Sequence, residues 1–164
     1  MKLYTPFQLF TPTECEQIIK DAKELTEKDG IAGAQYNTGV RNNKVFWLDY
    51  KDIEKFRAPM MDVNDYNISW VQEPIQISKY EKEQYYHWHT DQETNKRSSS
   101  RILTLTCTLH TAPGGLFETK DHTFDLTQGE AVIIPSTADH RALPPTSGTR
   151  WAVTVWGMGD NPNL

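Results

Sequence analysis

The strongest constraint on the fold is a change to alternating apolar and polar residues that begins near Ile68 and continues through most of the remaining chain. The apolar positions of these short runs are Ile75 and Ile77; 102–109; Phe124 and Leu126; 131–134; and Trp151, Val153 and Val155. Glycine and proline turns separate the runs, at 113–115, 128–129, 144–145 and 147–148. Short strands at such regular spacing predict a mainly β fold built as a sandwich, a barrel or a jelly roll.

Two helices are predicted ahead of the strands. Thr11, Pro12 and Glu14 form a capping-box pattern, in which a hydroxyl and an acid three residues later satisfy each other's backbone amides. The apolar residues behind this cap fall at helical spacing: Cys15, Ile18, Ile19, Ala22 and Leu25. We expect this helix to end at Asp29 and Gly30, because glycine adopts the left-handed conformation that often terminates a helix.

A second helical patch is predicted over 52–66, with Ile53 and Phe56 facing inward. We expect Pro59 to break or restart this helix, since proline lacks an amide proton and clashes with the preceding turn. Both helices would then cover one outer face of the sheet.

Length and charge narrow the class of protein. The chain has 164 residues, which suits one domain, with helical support over about 11–66 and a β core over about 68–157. The sequence has no apolar run of the ~18–20 residues that a membrane span needs, and no pattern typical of a secretory signal. We therefore expect a cytoplasmic protein, in the host cytoplasm if it is phage-encoded, that does not act at a membrane. The net charge of −5 disfavours nucleic acid as a partner, because phosphate binding needs a basic surface. No pattern indicates an oligomeric state.

Among the five histidines, His89 stands out because Asp91 follows it two residues later. On an extended backbone these two side chains point to the same side. With a histidine from a distant strand they would form the two-histidine, one-carboxylate site typical of non-haem Fe(II). The His-x-Asp tripeptide alone is weak evidence, since it is common by chance.

The order of the surrounding motifs is more specific. A strand with Tyr80 leads to His89; a strand beginning with Arg101 follows; then come a Gly-Gly turn, a glycine-led strand to His140, and Arg150 ten residues later. In this order, residues 77–156 resemble the 2-oxoglutarate- and Fe(II)-dependent dioxygenases, in particular the prolyl 4-hydroxylase-like branch. Residues 29–30 and 39–43 are similar to small bacterial and phage members. The resemblance implies a double-stranded β-helix (jelly roll) with flanking N-terminal helices.

The resemblance also implies a set of site residues. His89, Asp91 and His140 would bind Fe(II) and form the catalytic centre. Arg150 matches the arginine that holds the distal carboxylate of 2-oxoglutarate, and Tyr80 matches a tyrosine that contacts this cosubstrate. Thr108 stands where some relatives have a second tyrosine hydroxyl, which is a departure from the pattern.

The residues around Arg150 agree with this role. If the strand alternates, Arg150, Ala152, Thr154 and Trp156 share the face opposite Trp151, Val153 and Val155. A guanidinium on a face that lines a barrel could bind a slender dicarboxylate through two parallel hydrogen bonds.

The implied reaction consumes O₂ and 2-oxoglutarate, hydroxylates an unactivated C–H bond and releases succinate and CO₂, and it allows ascorbate as a reductant. We expect peptidyl proline as the substrate, with Arg41 and Asn43 in a lid over an extended peptide. His87 would share the face of His89 and is a substrate or outer-sphere candidate, as is Tyr86. Trp156 is a further substrate candidate, although large aromatic residues more often pack in small cores.

Three alternatives remain open at this stage. The substrate could be a free amino acid or another small molecule, because so short a chain leaves little room for a peptide-binding domain. The domain could instead be a jelly-roll binding module without turnover. A nucleic-acid demethylase of the same superfamily is disfavoured by the acidic charge.

Overall fold

The computed structural model describes residues 1–29, 34–37, 39–92 and 100–159, and the description below refers to these ranges. They contain two helices, α1 (Pro12–Asp29) and α2 (Glu54–Met61). The strands, in chain order, are β1 (Phe7–Gln8), β2 (Ala34–Asn37), β3 (Arg41–Leu48), β4 (Trp70–Val71), β5 (Ile75–Tyr80), β6 (Tyr85–His89), β7 (Arg101–His110), β8 (Phe117–Thr119), β9 (Thr123–Phe124), β10 (Glu130–Pro135), β11 (His140–Ala142) and β12 (Arg150–Met158). This mainly β composition with two helices confirms the predicted class.

The strands form one antiparallel sheet in the order β1-β10-β7-β12-β5-β3-β6-β11-β8-β9, with β2 paired to β3 and β4 paired to β12. Several neighbours are far apart in sequence: β12 lies between β7 and β5, and β11 lies between β6 and β8. The pairing of β6 with β11 places His89 directly opposite His140.

The alternation along each long strand separates two faces. On β12, Trp151, Val153 and Val155 belong to the main hydrophobic core, together with buried residues of both helices. The intervening positions, Arg150 and Thr154 among them, line a cavity on the opposite face, as the alternation predicted. The helices therefore cover one face of the sheet and leave the other face free to build a site.

The first helix begins as predicted. The Thr11 amide donates to Glu14 Oε1 (3.0 Å), and the Glu14 amide donates to Thr11 Oγ1 (3.2 Å), which completes the capping box. Cys15, Ile18 and Ala22 are buried in the core. The helix ends at Asp29, and the predicted terminating glycine, Gly30, lies outside the described residues. Neither of the two described helices combines the length and the apolar character that crossing a bilayer requires.

The prediction for Pro59 is wrong, because α2 runs through it to Met61. The helix buries Phe56 and Met60 on one face, and this packing outweighs the loss of a single amide donor. The helix then ends within two residues of Pro59, at the Asp62 cap.

The segment between the helices also differs from the expected helical support. It contains the β2–β3 hairpin, and β3 is an inner strand between β5 and β6. Residues 41–48 carry Val45, Phe46 and Leu48 as buried residues, so the segment packs as part of the sheet. Arg41 and Asn43 therefore lie on a sheet strand and not on a lid.

Gly129 joins the N-terminal segment to the sheet. Its carbonyl accepts the amides of Leu9 (2.8 Å) and Phe10 (3.2 Å), and its own amide donates to the Thr108 carbonyl (2.7 Å). Its φ of +85° lies in the left-handed region, and a Cβ at this position would collide with the Phe10 carbonyl and the side-chain amide of Gln8. Only glycine fits both the backbone conformation and this close approach.

We predict that Gly129→Ala destabilises the fold more than Gly148→Ala. Gly148 has a similar φ of +70°, but a Cβ there would meet its nearest atom, Ala112 Cβ, only at 3.9 Å. Gly148→Ala should therefore lower the free energy of unfolding by about 1–2 kcal/mol, because of the left-handed backbone. Gly129→Ala should lower it by roughly a further 1–3 kcal/mol, because of the collision. Denaturant unfolding of both variants measures the difference, and equal losses would contradict the close-approach argument.

Candidate active site

Three side chains that are distant in sequence meet where β6 and β11 pair. His89 Nε2 lies 3.4 Å from Asp91 Oδ1, and His140 Nε2 lies 3.3 Å from Asp91 Oδ2. One ligand atom from each residue falls within 4.8 Å of the others, which is close enough to hold one metal ion. The predicted convergence of these three residues is therefore present in the structure.

The hydrogen bonds behind the imidazoles fix their orientation. His89 Nδ1 lies 2.7 Å from the His87 carbonyl oxygen, and His140 Nδ1 lies 2.9 Å from the Ala138 carbonyl oxygen. Because a carbonyl only accepts, each Nδ1 must carry the proton and donate, which directs each Nε2 toward Asp91. Two such imidazoles and one carboxylate form the donor set that suits Fe(II), so the residues present fit this metal.

Asp91 is a buried anion, with 8% of its surface exposed. Burial alone would raise the pKa of its carboxyl, but the charges and hydrogen bonds of His140 and His89 outweigh burial and hold that pKa well below its usual range. The same pair of side chains also changes the pKa of His140. Burial acts to lower the pKa of its imidazole, but the Asp91 carboxylate outweighs burial and raises that pKa.

A β-bulge decides which neighbours face the triad. The register between β11 and β6 pairs His140 with His89 but Ala142 with Tyr86, so three steps along β6 match two along β11. The Tyr86 ring consequently stacks on the His89 imidazole, with centroids 3.5 Å apart and planes 7° apart. His87 is exposed and stacks on Tyr85 instead. The prediction that His87 shares the face of His89 is wrong, because a bulge re-aims the side chains on either side of it.

The triad lines a cavity of about 240 Å³ whose wall is formed largely by the polar faces of three strands. The lining residues from β5, β7 and β12 are Gln76, Ser78, Tyr80, Arg101, Thr104, Thr106, Arg150, Ala152, Thr154 and Trp156. This volume is below the ~300–1,000 Å³ of pockets for drug-sized ligands, so the cavity suits a small polar ligand.

Arg150 is a buried cation in this cavity, with 3% of its surface exposed. Its Nη2 donates to Thr108 Oγ1 at 3.3 Å, and its guanidinium lies 5.8 Å from the centroid of the Tyr80 ring. Within the described ranges no carboxylate lies within 4.0 Å of its nitrogens, and burial lowers its pKa. A buried charge without a counter-charge is unfavourable, so this site favours an anionic ligand.

Gly115 allows the arginine to take this position. A Cβ on Gly115 would lie only 3.0 Å from Arg150 Cδ. The Gly-Gly turn that the sequence singled out therefore makes room for the guanidinium stem.

Aromatic and basic side chains form the rim of the cavity. Trp47 lines it and is 41% exposed, with its ring 6.3 Å from that of Trp156. The Arg101 guanidinium lies 3.7 Å from the Trp156 ring centroid, and the Arg41 guanidinium lies 4.3 Å from that of Tyr86. Tryptophan is enriched at binding interfaces, so this rim is a candidate binding surface.

The four candidate substrate residues separate into two groups. Arg41 and Trp156 line the cavity. Asn43 is fully buried behind Arg41, where its Oδ1 accepts from Arg41 Nε at 2.7 Å, and the His87 side chain points away. Asn43 and His87 are not among the lining residues.

Sequence reasoning missed Trp47, Thr104 and Ser136. The helical support predicted over about 11–66 gives no reason to single out Trp47, which lies on β3. Thr104 and Ser136 are ordinary polar residues in sequence, and only their positions beside Asp91 distinguish them. For Thr104 the alternation with buried Leu103 and Leu105 was the available signal.

Comparisons with known proteins agree with this geometry. Residues 75–158 match the family model described as the 2OG-Fe(II) oxygenase superfamily. A PKHD-type hydroxylase from Synechococcus sp. (strain CC9311) is 31% identical, over 91% of this chain and 74% of that protein.

Solved structures share the fold. A viral collagen prolyl hydroxylase from Paramecium Bursaria Chlorella virus-1, determined as a 2OG complex, has a TM-score of 0.71 at 20% identity, covering 94% of this chain and 95% of that one. A Pseudomonas putida prolyl-4-hydroxylase has a TM-score of 0.72 at 15% identity, covering 95% and 92%. These likenesses confirm the predicted jelly-roll fold. The family model covers half of the chain and the cyanobacterial hydroxylase is more than 30% identical, so the chain belongs to the 2OG-Fe(II) oxygenase superfamily and is a 2-oxoglutarate-dependent dioxygenase.

Proposed function

We propose that this enzyme holds Fe(II) with His89, Asp91 and His140, binds 2-oxoglutarate through Arg150, and hydroxylates peptidyl proline with release of succinate and CO₂. The observation that carries the proposal is that the metal-ligand set and a buried arginine without a carboxylate partner, among the described residues, line one small cavity. A ligand that joins these two features must carry an anionic group at one end and metal-binding groups at the other. 2-Oxoglutarate has both.

Each group in the cavity has a distinct task. Iron, when bound, supplies the activation of O₂ that couples decarboxylation of 2-oxoglutarate to hydroxylation of a C–H bond, and ascorbate would serve as a reductant. Arg150 offers a planar pair of donors to the distal carboxylate, which fixes the orientation of the cosubstrate. The Thr108 hydroxyl already contacts Arg150 Nη2, and Tyr80 forms the neighbouring wall.

The substrate would approach from the rim that holds Trp47. This side chain is the exposed aromatic residue of the cavity lining, and Trp156 lies beside it. The exposed, flat apolar face of the Trp47 ring suits the pyrrolidine ring of proline. Two proteins with the same fold are a collagen prolyl hydroxylase and a prolyl-4-hydroxylase, which supports this substrate class.

A free amino acid or another small molecule is the second candidate, and the modest cavity volume of about 240 Å³ favours it. A jelly-roll binding module without turnover is disfavoured, because the chain belongs to an oxygenase family and carries the full donor set.

We also propose that residues 1–164 act as one catalytic domain and that the enzyme works in the cytoplasm. The single sheet with both helices packed into one core supports the first statement. The two cysteines, Cys15 and Cys107, are both free and buried, as is usual in a reducing compartment.

The peptide and small-molecule candidates can be separated by substrate-stimulated turnover. We expect proline-containing peptides to increase succinate formation and to gain the mass of one oxygen atom on proline, measured by mass spectrometry. Stimulation by a free amino acid alone would favour the second candidate, and a succinate rate that no peptide changes would contradict the first.

Trp47→Ala should raise the KM for the peptide while leaving the KM for 2-oxoglutarate unchanged.

We predict that Arg150→Lys and Arg150→Met weaken 2-oxoglutarate binding. Loss of charge-assisted hydrogen bonds should raise the KM for 2-oxoglutarate roughly tenfold for lysine and about a hundredfold for methionine. Mn(II) affinity, measured by calorimetry, should stay unchanged in both variants. Arg141→Lys is the matched control, because Arg141 pairs with Glu118 outside the cavity. A normal KM in Arg150→Met would rule out this anchor.

We predict that Asp91→Ala abolishes metal binding, since it removes the only anionic donor of the three-residue cluster. Anaerobic titration with Fe(II) and 2-oxoglutarate should give a weak visible charge-transfer band in the wild type and none in the variant. His110→Ala is the control, because His110 is exposed at the end of β7 and lies outside the cavity. Equal turnover of Asp91→Ala and wild type at saturating iron would refute the assignment of the metal site.

A further inference from the structure

The two oxygens of the Asp91 carboxylate lie in different surroundings. Oδ2 accepts a hydrogen bond from Thr104 Oγ1 at 2.8 Å and another from Trp156 Nε1 at 3.0 Å, and it lies 3.3 Å from His140 Nε2. Oδ1 lies 3.4 Å from His89 Nε2. A carboxylate oxygen has two lone pairs, so the two donors from β7 and β12 occupy those of Oδ2.

The direction of these hydrogen bonds follows from the charge of Asp91. An ionised carboxylate only accepts, so the single hydroxyl proton of Thr104 must point to Oδ2. Ser136 Oγ lies 2.9 Å from Thr104 Oγ1, and it must therefore be the donor of that bond.

Ser136 also holds the backbone of Asp91. Its carbonyl oxygen accepts the amides of Asp91 (2.9 Å) and Gln92 (3.0 Å). Thr104 and Ser136 are both buried, with 1% and 0% of their surface exposed, so water does not compete for these bonds. The backbone of Ser136, directly after β10, thus fixes the position of Asp91. The hydrogen bonds from Ser136 to Thr104 and from Thr104 to Oδ2 fix the rotation of the Asp91 carboxylate.

We infer that Thr104, Ser136 and Trp156 are positioning residues that reserve Oδ2, so that Asp91 presents Oδ1 alone to the metal. The inference rests on the proposed function, because it requires a metal ion among His89, Asp91 and His140. A carboxylate that used both oxygens would take one more coordination position. Keeping Oδ2 in hydrogen bonds leaves that position for the cosubstrate and O₂.

The test uses variants that remove one donor and keep the shape. Thr104→Val removes the hydroxyl, Trp156→Phe removes the indole N–H but keeps an aromatic ring, and Thr104→Ser retains the hydroxyl. Thr106→Val is the matched control, because Thr106 lies on the same face of β7 and makes no hydrogen bond to Asp91. Each metal-free variant should still unfold in one cooperative transition, with a somewhat lower midpoint where a buried hydrogen bond is lost.

The first measurement is release of Mn(II) to a chelator. Thr104→Val and Trp156→Phe should each weaken Mn(II) binding about 10- to 100-fold, whereas Thr104→Ser and Thr106→Val should stay within about threefold of the wild type. Ser136→Ala should have a smaller effect than Thr104→Val, since the Thr104 hydroxyl can still donate to Oδ2.

The second measurement is the visible d–d spectrum of the Co(II)-loaded protein, whose intensity depends on the number of ligands. It should change in Thr104→Val and Trp156→Phe and be unchanged in Thr106→Val. Wild-type Mn(II) affinity and an unchanged Co(II) spectrum in both donor variants would overturn this inference while leaving the metal site intact. Retention of Mn(II) by Asp91→Ala would instead overturn the proposed function itself.

Discussion

The antiparallel pairing of β6 with β11 is the constraint on which the rest of the site depends. It sets His89 opposite His140, and the carbonyls of His87 and Ala138 then turn both imidazoles toward Asp91. The bulge in the same pairing brings Tyr86 onto the imidazole of His89. A metal centre built in this way is placed by backbone hydrogen bonds of the sheet, so its geometry is tied to the folded state as a whole.

The second constraint is electrostatic. Asp91 and Arg150 are both buried in one cavity, and they differ in how they are compensated: two imidazoles and two hydrogen-bond donors surround the anion, while a threonine hydroxyl and an aromatic ring adjoin the cation. An uncompensated buried charge lowers stability. The fold tolerates this because the opposite faces of the same strands pack against both helices, which is the usual exchange of stability for function.

Much of this architecture could be predicted from sequence because it depends on local patterns. The capping box at Thr11, the alternation along β12 and the separate motifs around His89 and His140 all act over a few residues. What escaped prediction depends on distant partners. The strand β3 starts with polar residues and pairs with β5 and β6, and no local signal shows those partners. The β6 bulge is likewise set by β11, so strict alternation along β6 predicts the wrong face for His87.

The division of β12 into a packing face and a chemical face has an evolutionary consequence. Since side chains alternate strictly, inserting or deleting one residue within the strand would send Arg150 or Trp156 into the apolar interior and bring tryptophan and valine into the cavity. A change in the length of β12 therefore disrupts the core and the cavity in a single step, so it cannot be reached through small, tolerated changes. Descendants of such a protein can acquire new substrates by exchanging side chains at the rim or by remodelling loops, while the length of β12 stays fixed.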